Sequence, residues 1–235
     1  MTPRPKAWLS WSSGKDSAWA LHVARRQNDL DIVALFSTVN RAFGRVAMHG
    51  VREALIDLQA ERAGLPLIKV PIPYPCPNEQ YEQAMAAAMD RARGEGVTHV
   101  VFGDLFLQDI RQYREQQLAR CAMTPVFPIW GIETGKLAGD MVAGGLEAWL
   151  ACIDPRKLDR AFAGRKFNSR LLAELPTGID PCGENGEFHT FASAGPMFGS
   201  PISLATGEIV ERDGFVFTDL LPAPEAAPVR RDRTP

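Results

Sequence analysis

Long hydrophobic runs are missing from this chain of 235 residues: no stretch approaches the roughly 20 apolar residues that a membrane-crossing helix requires. The opening, MTPRPKAWLSWSSGKDS, offers only a short apolar stretch at 7–10 before polar residues follow. That is too little for the apolar heart of a signal peptide, so a cytoplasmic protein without a membrane partner is expected. An excess of charge is missing too. Against 26 Lys and Arg stand 28 Asp and Glu, a formal net charge of −2, which leaves no general field to hold a polyanion; nucleic acid is not an expected partner. Cysteine is sparse, at 76, 121, 152 and 182 only, with no Cys-x-x-Cys pair and no histidine at ligand spacing. Reduced thiols, rather than a disulfide framework or a zinc site, follow from that spacing. What is present is ordinary for a globular protein, 46% hydrophobic and 23% charged, in a chain long enough to bury about 70% of its unfolded surface without staples. One large domain or two coupled smaller ones are both compatible with the length.

Short apolar runs at 7–11, 32–37, 67–70 and 99–102 alternate with stretches of helical period at 17–27, 51–63, 78–93 and 109–122. That order predicts an α/β fold: a parallel sheet with helices on both faces, with one more strand expected at 126–129. After Trp130, five glycines fall within fifteen positions, which reads either as a linker or as a set of helix ends. A strand at 146–152, a short helix at 169–174 and an all-β stretch over 188–221 follow, with turns expected at Thr206-Gly207 and Asp213-Gly214. The expected organisation is a nucleotide-binding domain over 1–131, a smaller α+β domain over 132–221, and a tail from 222 whose four prolines and little bulk read as disordered.

The sharpest feature is Trp11-Ser12-Ser13-Gly14-Lys15-Asp16-Ser17, set between the first strand and the first helix. Open α/β sheets bind ligands at the carboxyl ends of their strands. Small residues let backbone N–H groups turn inward, the helix adds its positive end, and Lys15 adds a full charge, so the loop has the makings of a phosphate site. It is not the ordinary P-loop, because Asp16 follows Lys15 where Ser or Thr is required, and no G-x-G-x-x-G occurs. The segment resembles instead the S-G-G-K-D-S loop of the PP-loop ATP pyrophosphatases, which cleave ATP between the α and β phosphates. Ser13 replaces the first glycine, a change that keeps the backbone donor but is unfavourable if that position needs φ > 0.

Gly103-Asp104-Leu105, the helix bearing Arg111, Arg114 and Glu115, Phe127-Pro128-Ile129-Trp130, and Gly183-Glu184-Asn185-Gly186-Glu187-Phe188-His189-Thr190 form a second set. Together with the loop, this set resembles the diphthine-ammonia ligase family over residues 6 to about 221. The resemblance implies a HUP-type PP-loop domain and a site in which Ser12, Ser13, Gly14, Lys15, Asp16 and Ser17 hold the phosphates of ATP. It further implies Mg²⁺ at Asp16 and Asp104, and adenine against Phe36, Ser37 and Thr38, with Gly103 beside the nucleotide. Lys15, Asp104, Glu184, Glu187 and His189 would be catalytic; His49, Arg111, Arg114, Asn185 and Thr190 would meet the acceptor. The His-Thr ending is the form associated with the family's bacterial relatives, which implies an acceptor other than diphthine, such as one in cobalamin salvage.

Each residue also has a plainer reading. Asp104 could cap the next turn, the 183–190 loop could be a tight turn with Glu187 solvated, and His49 could cap the helix that carries Gln59. Arg111 and Arg114, spaced i, i+3, could clamp an anion or pair with Glu115 or Asp109. The expected reaction is ATP-dependent: a small-molecule or protein-borne carboxylate is adenylated, and ammonia or an amine displaces AMP. No glutaminase domain is visible, so free ammonia or a partner supplying it is implied; a homodimer is compatible. A nucleotide-binding regulator is the rival from another class. A tRNA-thiolating enzyme using Cys182 as nucleophile is the third option.

Overall fold

The computed structural model describes residues 3–42, 44–46 and 50–224. His49 and the tail beyond 224 lie outside the described residues, and so do the expectations attached to them.

In the first sheet, β1 (Lys6–Ser10) lies between β2 (Asp31–Asn40) and β5 (Val97–Val101), all parallel. On the far side of β2 comes parallel β4 (Leu67–Ile72), and beyond β5 parallel β6 (Thr124–Val126); two-residue β3 (Arg45–Val46) runs antiparallel to the end of β2. From β1 the chain first builds outward through β2 and β4, then returns to the other side of β1 for β5. The carboxyl end of β1 is thus a topological switch point, where such sheets open a crevice.

Strand alternation assigns the faces. Ala7, Leu9 and Trp11 enter one core with α1 (Lys15–Gln27) and α2 (Glu53–Ala63), while Trp8 between them enters another with α3 (Asn78–Gly94) and α4 (Gln108–Arg120). Helices therefore cover both faces, as the alternating pattern predicted. Gly103 is required by close approach: a Cβ there would come within 2.7–2.8 Å of the Asp16 carbonyl group and 2.8 Å of the Ser17 nitrogen.

The glycine-rich stretch after Trp130 contains helix α5 (Thr134–Ala143), capped by the Glu133 carboxylate at Gly135 and Lys136. A second sheet follows. β7 (Glu147–Ile153) pairs antiparallel with β8 (Lys166–Phe167), β9 (Phe188–Ala194) and β11 (Phe215–Pro222), and β11 pairs with β10 (Leu204–Arg212). The short helix α6 (Ser169–Glu174) is capped by Asn168.

Two local expectations need correction. The strand expected at 126–129 ends at Val126, because Pro128 lacks the N–H to continue the ladder and 128–131 turn instead. Thr206-Gly207 is no turn but lies inside β10, where the register shifts between Thr206 and Ile209, so the glycine marks a bulge. Asp213-Gly214 does turn, with φ of 53° and 78°, the left-handed pair a tight hairpin needs.

One hydrophobic core runs from Ala7 and Leu9 through α1, α2 and α5 to Phe191, Val216 and Leu220. The second sheet therefore packs over α1, α2 and the loop that precedes α1, outside the helices on one face of the first sheet.

Candidate functional site

Between β1 and α1 the loop turns sharply at Ser13, which has φ of 72° and is fully buried. This is the left-handed region, costly for a residue with a Cβ, and the Ser13 hydroxyl has no hydrogen-bond partner among the described residues. The backbone is nonetheless held there. The Ser13 carbonyl accepts from Ala192 N–H at 2.9 Å and from Gln59 Nε2 at 3.0 Å. Gln59, itself fully buried, also accepts from the Trp11 indole N–H at 2.8 Å and donates to the Ala192 carbonyl at 2.6 Å.

Two predictions arise from this clamp. Gln59→Leu, close in size but apolar, is expected to lower stability by about 2–4 kcal/mol, since buried groups at Trp11 and Ala192 lose their partner; urea unfolding measures it, and a loss below about 0.5 kcal/mol would contradict it. Ser13→Gly should shift the urea midpoint the other way. Relief of left-handed strain and of the unpaired hydroxyl exceeds the added freedom of the unfolded chain, for a net gain of about 1 kcal/mol.

Past the turn, Ser12 Oγ bonds the Gly14 N–H at 3.3 Å and meets Ser17 Oγ at 3.1 Å, while Lys15 N–H donates to Thr190 Oγ1 at 3.0 Å. The Lys15 side chain is 2% exposed. Its ammonium donates to both Asp16 oxygens, at 2.9 and 2.8 Å, and to the Cys182 carbonyl, and lies 5.6 and 5.5 Å from the Phe167 and Phe188 ring centres. Burial opposes the charge, but Asp16 and the other anionic groups around it outweigh that, so Lys15 is held above its ordinary value and stays an ammonium.

A cavity of about 400 Å³ opens over this loop. It is lined by Ser12, Lys15, Asp16 and Ser17 from the loop, Gly103, Asp104 and Arg114 from the β5–α4 side, and Glu184, His189 and Thr190 from the second sheet's approach. Asp104 is bound bidentately by Arg114 at 2.5 and 3.1 Å, and that guanidinium lies 4.4 Å from the Phe102 ring centre. Glu184 accepts from Leu105 N–H at 3.0 Å; burial, and then the nearby Asp16, push its carboxyl up to about 7. His189 goes the opposite way, pushed down to about 4 by burial and by the Lys15 cation, and is therefore a neutral imidazole at neutral pH. Phe36, Ser37 and Thr38 line an adjoining cavity of about 200 Å³ that shares Ser10, Ser12 and Arg114 with the first. A more apolar hollow of about 330 Å³ between α3 and α4 holds none of the loop residues or signature carboxylates.

Not every candidate faces the cavity. Arg111 is not among its lining residues; its guanidinium lies 4.9 and 4.8 Å from the Phe127 and Trp130 ring centres and pairs with Glu115 at 2.7 Å. One helical turn carries Arg111 and Arg114 to different partners. Glu187 is 3% exposed and turned inward, where Oε1 accepts from Asp180 N–H and the Asn185 amide and Oε2 has no partner among the described residues. Asn185 is spent on that contact, and its carbonyl accepts from Lys157 Nζ. Both residues shape the loop rather than line the cavity. Ser13 and Gly14 likewise contribute backbone geometry and do not line it.

Other residues were absent from the expected set. Asp180 accepts from Cys182 and Glu184 N–H, at 2.9 and 3.2 Å, and so aims the Glu184 segment; Asp at the head of Asp-Pro-Cys-Gly is a turn signal that could have found it. Phe167 and Gln59 act through tertiary contact and carry no local signal. Gly183, at φ 70°, admits the Phe188 carbonyl where a Cβ would come within 2.8 Å. Burial pushes the Cys182 thiol up to about 12, which disfavours a thiolate at this position.

A parallel sheet with a Ser-Ser-Gly-Lys-Asp-Ser loop at its switch point, opening onto two joined cavities of about 400 and 200 Å³, defines the PP-loop class of α/β proteins. A family model described as the diphthamide synthase N-terminal domain matches residues 6–124, and one described as the diphthamide synthase C-terminal domain matches 133–218. The chain belongs to the diphthamide synthase, or diphthine-ammonia ligase, family. It is 26% identical over 176 residues to a diphthine-ammonia ligase of Danio rerio, covering 67% of this chain and 68% of that one. To a diphthine-ammonia ligase of Schizosaccharomyces pombe it is 32% identical over 87 residues, which are 35% of this chain and 14% of that one. The chain thus spans only a small part of the longer yeast relative. Among the described residues no helix is long and apolar enough to cross a membrane.

Proposed function

We propose that the protein is an ATP-dependent carbon-nitrogen ligase that adenylates a substrate carboxylate and then couples ammonia or an amine to it. One observation carries this reading: a single cavity brings the Lys15 ammonium of the phosphate loop together with the Glu184 carboxyl, which is poised near neutral pH. In the first step a carboxylate oxygen bonds to the α-phosphorus as the bond from that phosphorus to the pyrophosphate oxygen breaks. Lys15, with Arg114 opposite, faces the negative charge that grows on the phosphates. In the second step the nitrogen attacks the acyl carbon, AMP leaves with its oxygen, and Glu184 takes the proton that the nitrogen sheds.

Magnesium fits this site as a companion of the nucleotide. Asp16 and Asp104 supply hard oxygen donors on the cavity wall, yet among the described residues no three His, Cys, Asp or Glu side chains form a metal cluster. That is the pattern of an ion held by one or two carboxylates plus phosphates, whose chemistry is to neutralise the departing pyrophosphate. Lys15 and Arg114 already pair with those carboxylates, which would have to be shared with the ion.

The decisive measurement is the product of ATP in the presence of Mg²⁺, ammonium and small-molecule or protein fractions of a lysate. Pyrophosphate and AMP are expected in equal amounts, without ADP. Tight ATP binding with no pyrophosphate under any fraction would favour the nucleotide-binding regulator instead.

A further inference from the structure

On the ligase reading, with the nucleoside in the 200 Å³ cavity and the outer phosphates in the 400 Å³ one, the α-phosphorus would lie where the two cavities meet, at Ser10, Ser12 and Arg114. A third cavity, of about 330 Å³, borders both: His189 lines it together with the phosphate cavity, and Val46 lines it together with the nucleoside cavity. It sits where the carboxyl ends of β2 and β4 meet β7 and β11 of the second sheet, the kind of junction at which small-molecule sites form.

We infer that this third cavity is the acceptor pocket, and that it takes the apolar carbon body of an acid whose carboxylate points past His189 toward the α-phosphate. The inference rests on the ligase reading. The lining sets the chemical class. Ile72, Pro73, Phe215 and Phe217 give it apolar, largely aromatic walls. Its two cations already have carboxylate partners: Arg45 binds Asp219 at 3.0 Å, and Arg212 lies 3.8 Å from Asp213 with its guanidinium 5.0 Å from the Phe217 ring centre. Asp219 is shared with Arg52, which binds it at 2.6 Å, so it is the apolar walls and not a charge balance that favour an aromatic or branched aliphatic acid over a small hydrophilic one. His189 at the neck, neutral because of its burial, adds no cation that would arrest the carboxylate short of phosphorus. Across the rim, the Tyr74 hydroxyl donates to Asp213 at 2.8 Å, joining the segment after β4 to the β10–β11 turn.

The test uses 3-phenylpropanoate, indole-3-acetate and 4-methylpentanoate as probes, against acetate and succinate, and reads acid-stimulated pyrophosphate release with hydroxylamine as the trapping amine. ATP affinity is measured separately by calorimetry. The three apolar acids are expected to stimulate release and the two hydrophilic ones not. Cys76→Trp fills the pocket from a half-buried loop position whose thiol meets the neighbouring Pro77 carbonyl at 3.7 Å. It should cut the stimulation about tenfold or more while leaving ATP affinity within about twofold, as expected of a change outside the nucleotide site. Phe215→Ala, which widens the other wall, should shift preference toward indole-3-acetate and serves independently if the first variant folds poorly. ATP binding without stimulation by any apolar acid overturns the pocket, and so does stimulation that both variants leave unchanged. Failure to bind ATP at all would instead sink the ligase reading from which the pocket follows.

Discussion

Lys15→Ala is expected to lower ATP-dependent pyrophosphate release by about two to three orders of magnitude, the usual cost of deleting a preorganised charge at a developing anion. The size of the effect follows from where the ammonium sits. It is enclosed by two aromatic rings and backbone, with bulk water almost excluded, so its field on a bound phosphate is weakly screened. The same enclosure predicts that Lys15→Arg will not rescue, since the larger, planar guanidinium would run into Phe167 and Phe188, the paired rings over which the ammonium lies. Steady-state kinetics with ATP varied separates the contributions: both kcat and the affinity for ATP should fall. Retention of more than about a third of wild-type turnover in Lys15→Ala would remove the phosphate-binding role.

Glu184→Gln should have an effect of similar kind but with a different signature. If Glu184 accepts the proton from nitrogen, wild-type turnover climbs with pH through about 7, the value to which burial lifts its carboxyl. The amide variant should lose about a hundredfold in turnover and, more tellingly, lose that pH-dependent rise. Stability supplies an independent reading. A carboxyl raised in the folded state from 4.5 to about 7 binds more protons folded than unfolded between those values, so wild-type stability should decline as pH rises across that window and the decline should vanish in Glu184→Gln. Parallel pH profiles of the two proteins, in both activity and thermal midpoint, would contradict the assignment.

How far these features could be read before the fold was known depended on whether their causes were local. The Ser12–Ser17 segment is legible because loop, helix start and charge lie within one turn of chain, and strand alternation about Trp8 and Leu9 is legible for the same reason. Arg111 and Arg114 show where local reasoning stops. Their i, i+3 spacing puts them on one face, but which one reaches the cavity depends on the rotation of α4 against β5 and on the rings of Phe127 and Trp130. Glu184 and Glu187 share one motif, yet the left-handed glycines at 183 and 186 turn the first toward the cavity and the second inward. Gln59 and Phe167 gain their roles only from strands that arrive much later in the chain. Ser13 is the instructive case: the anticipated need for positive φ is real, and a serine occupies it because distant hydrogen bonds hold the backbone there.

Those distant bonds carry a consequence for the order of events during folding. Lys15 N–H and Thr190 Oγ1 are 175 positions apart, and Ser13 waits on Ala192 in the same way. A growing chain exposes its loop early but closes it only after β9 has been made and docked, a contact of high sequence separation that forms slowly. A nascent chain truncated after the first sheet would present the loop unclamped and its ammonium unboxed, so nucleotide binding matures last. Protection by ATP in a refolding time course should therefore lag behind recovery of helical signal, making occupancy of the loop a reporter that the second sheet has arrived.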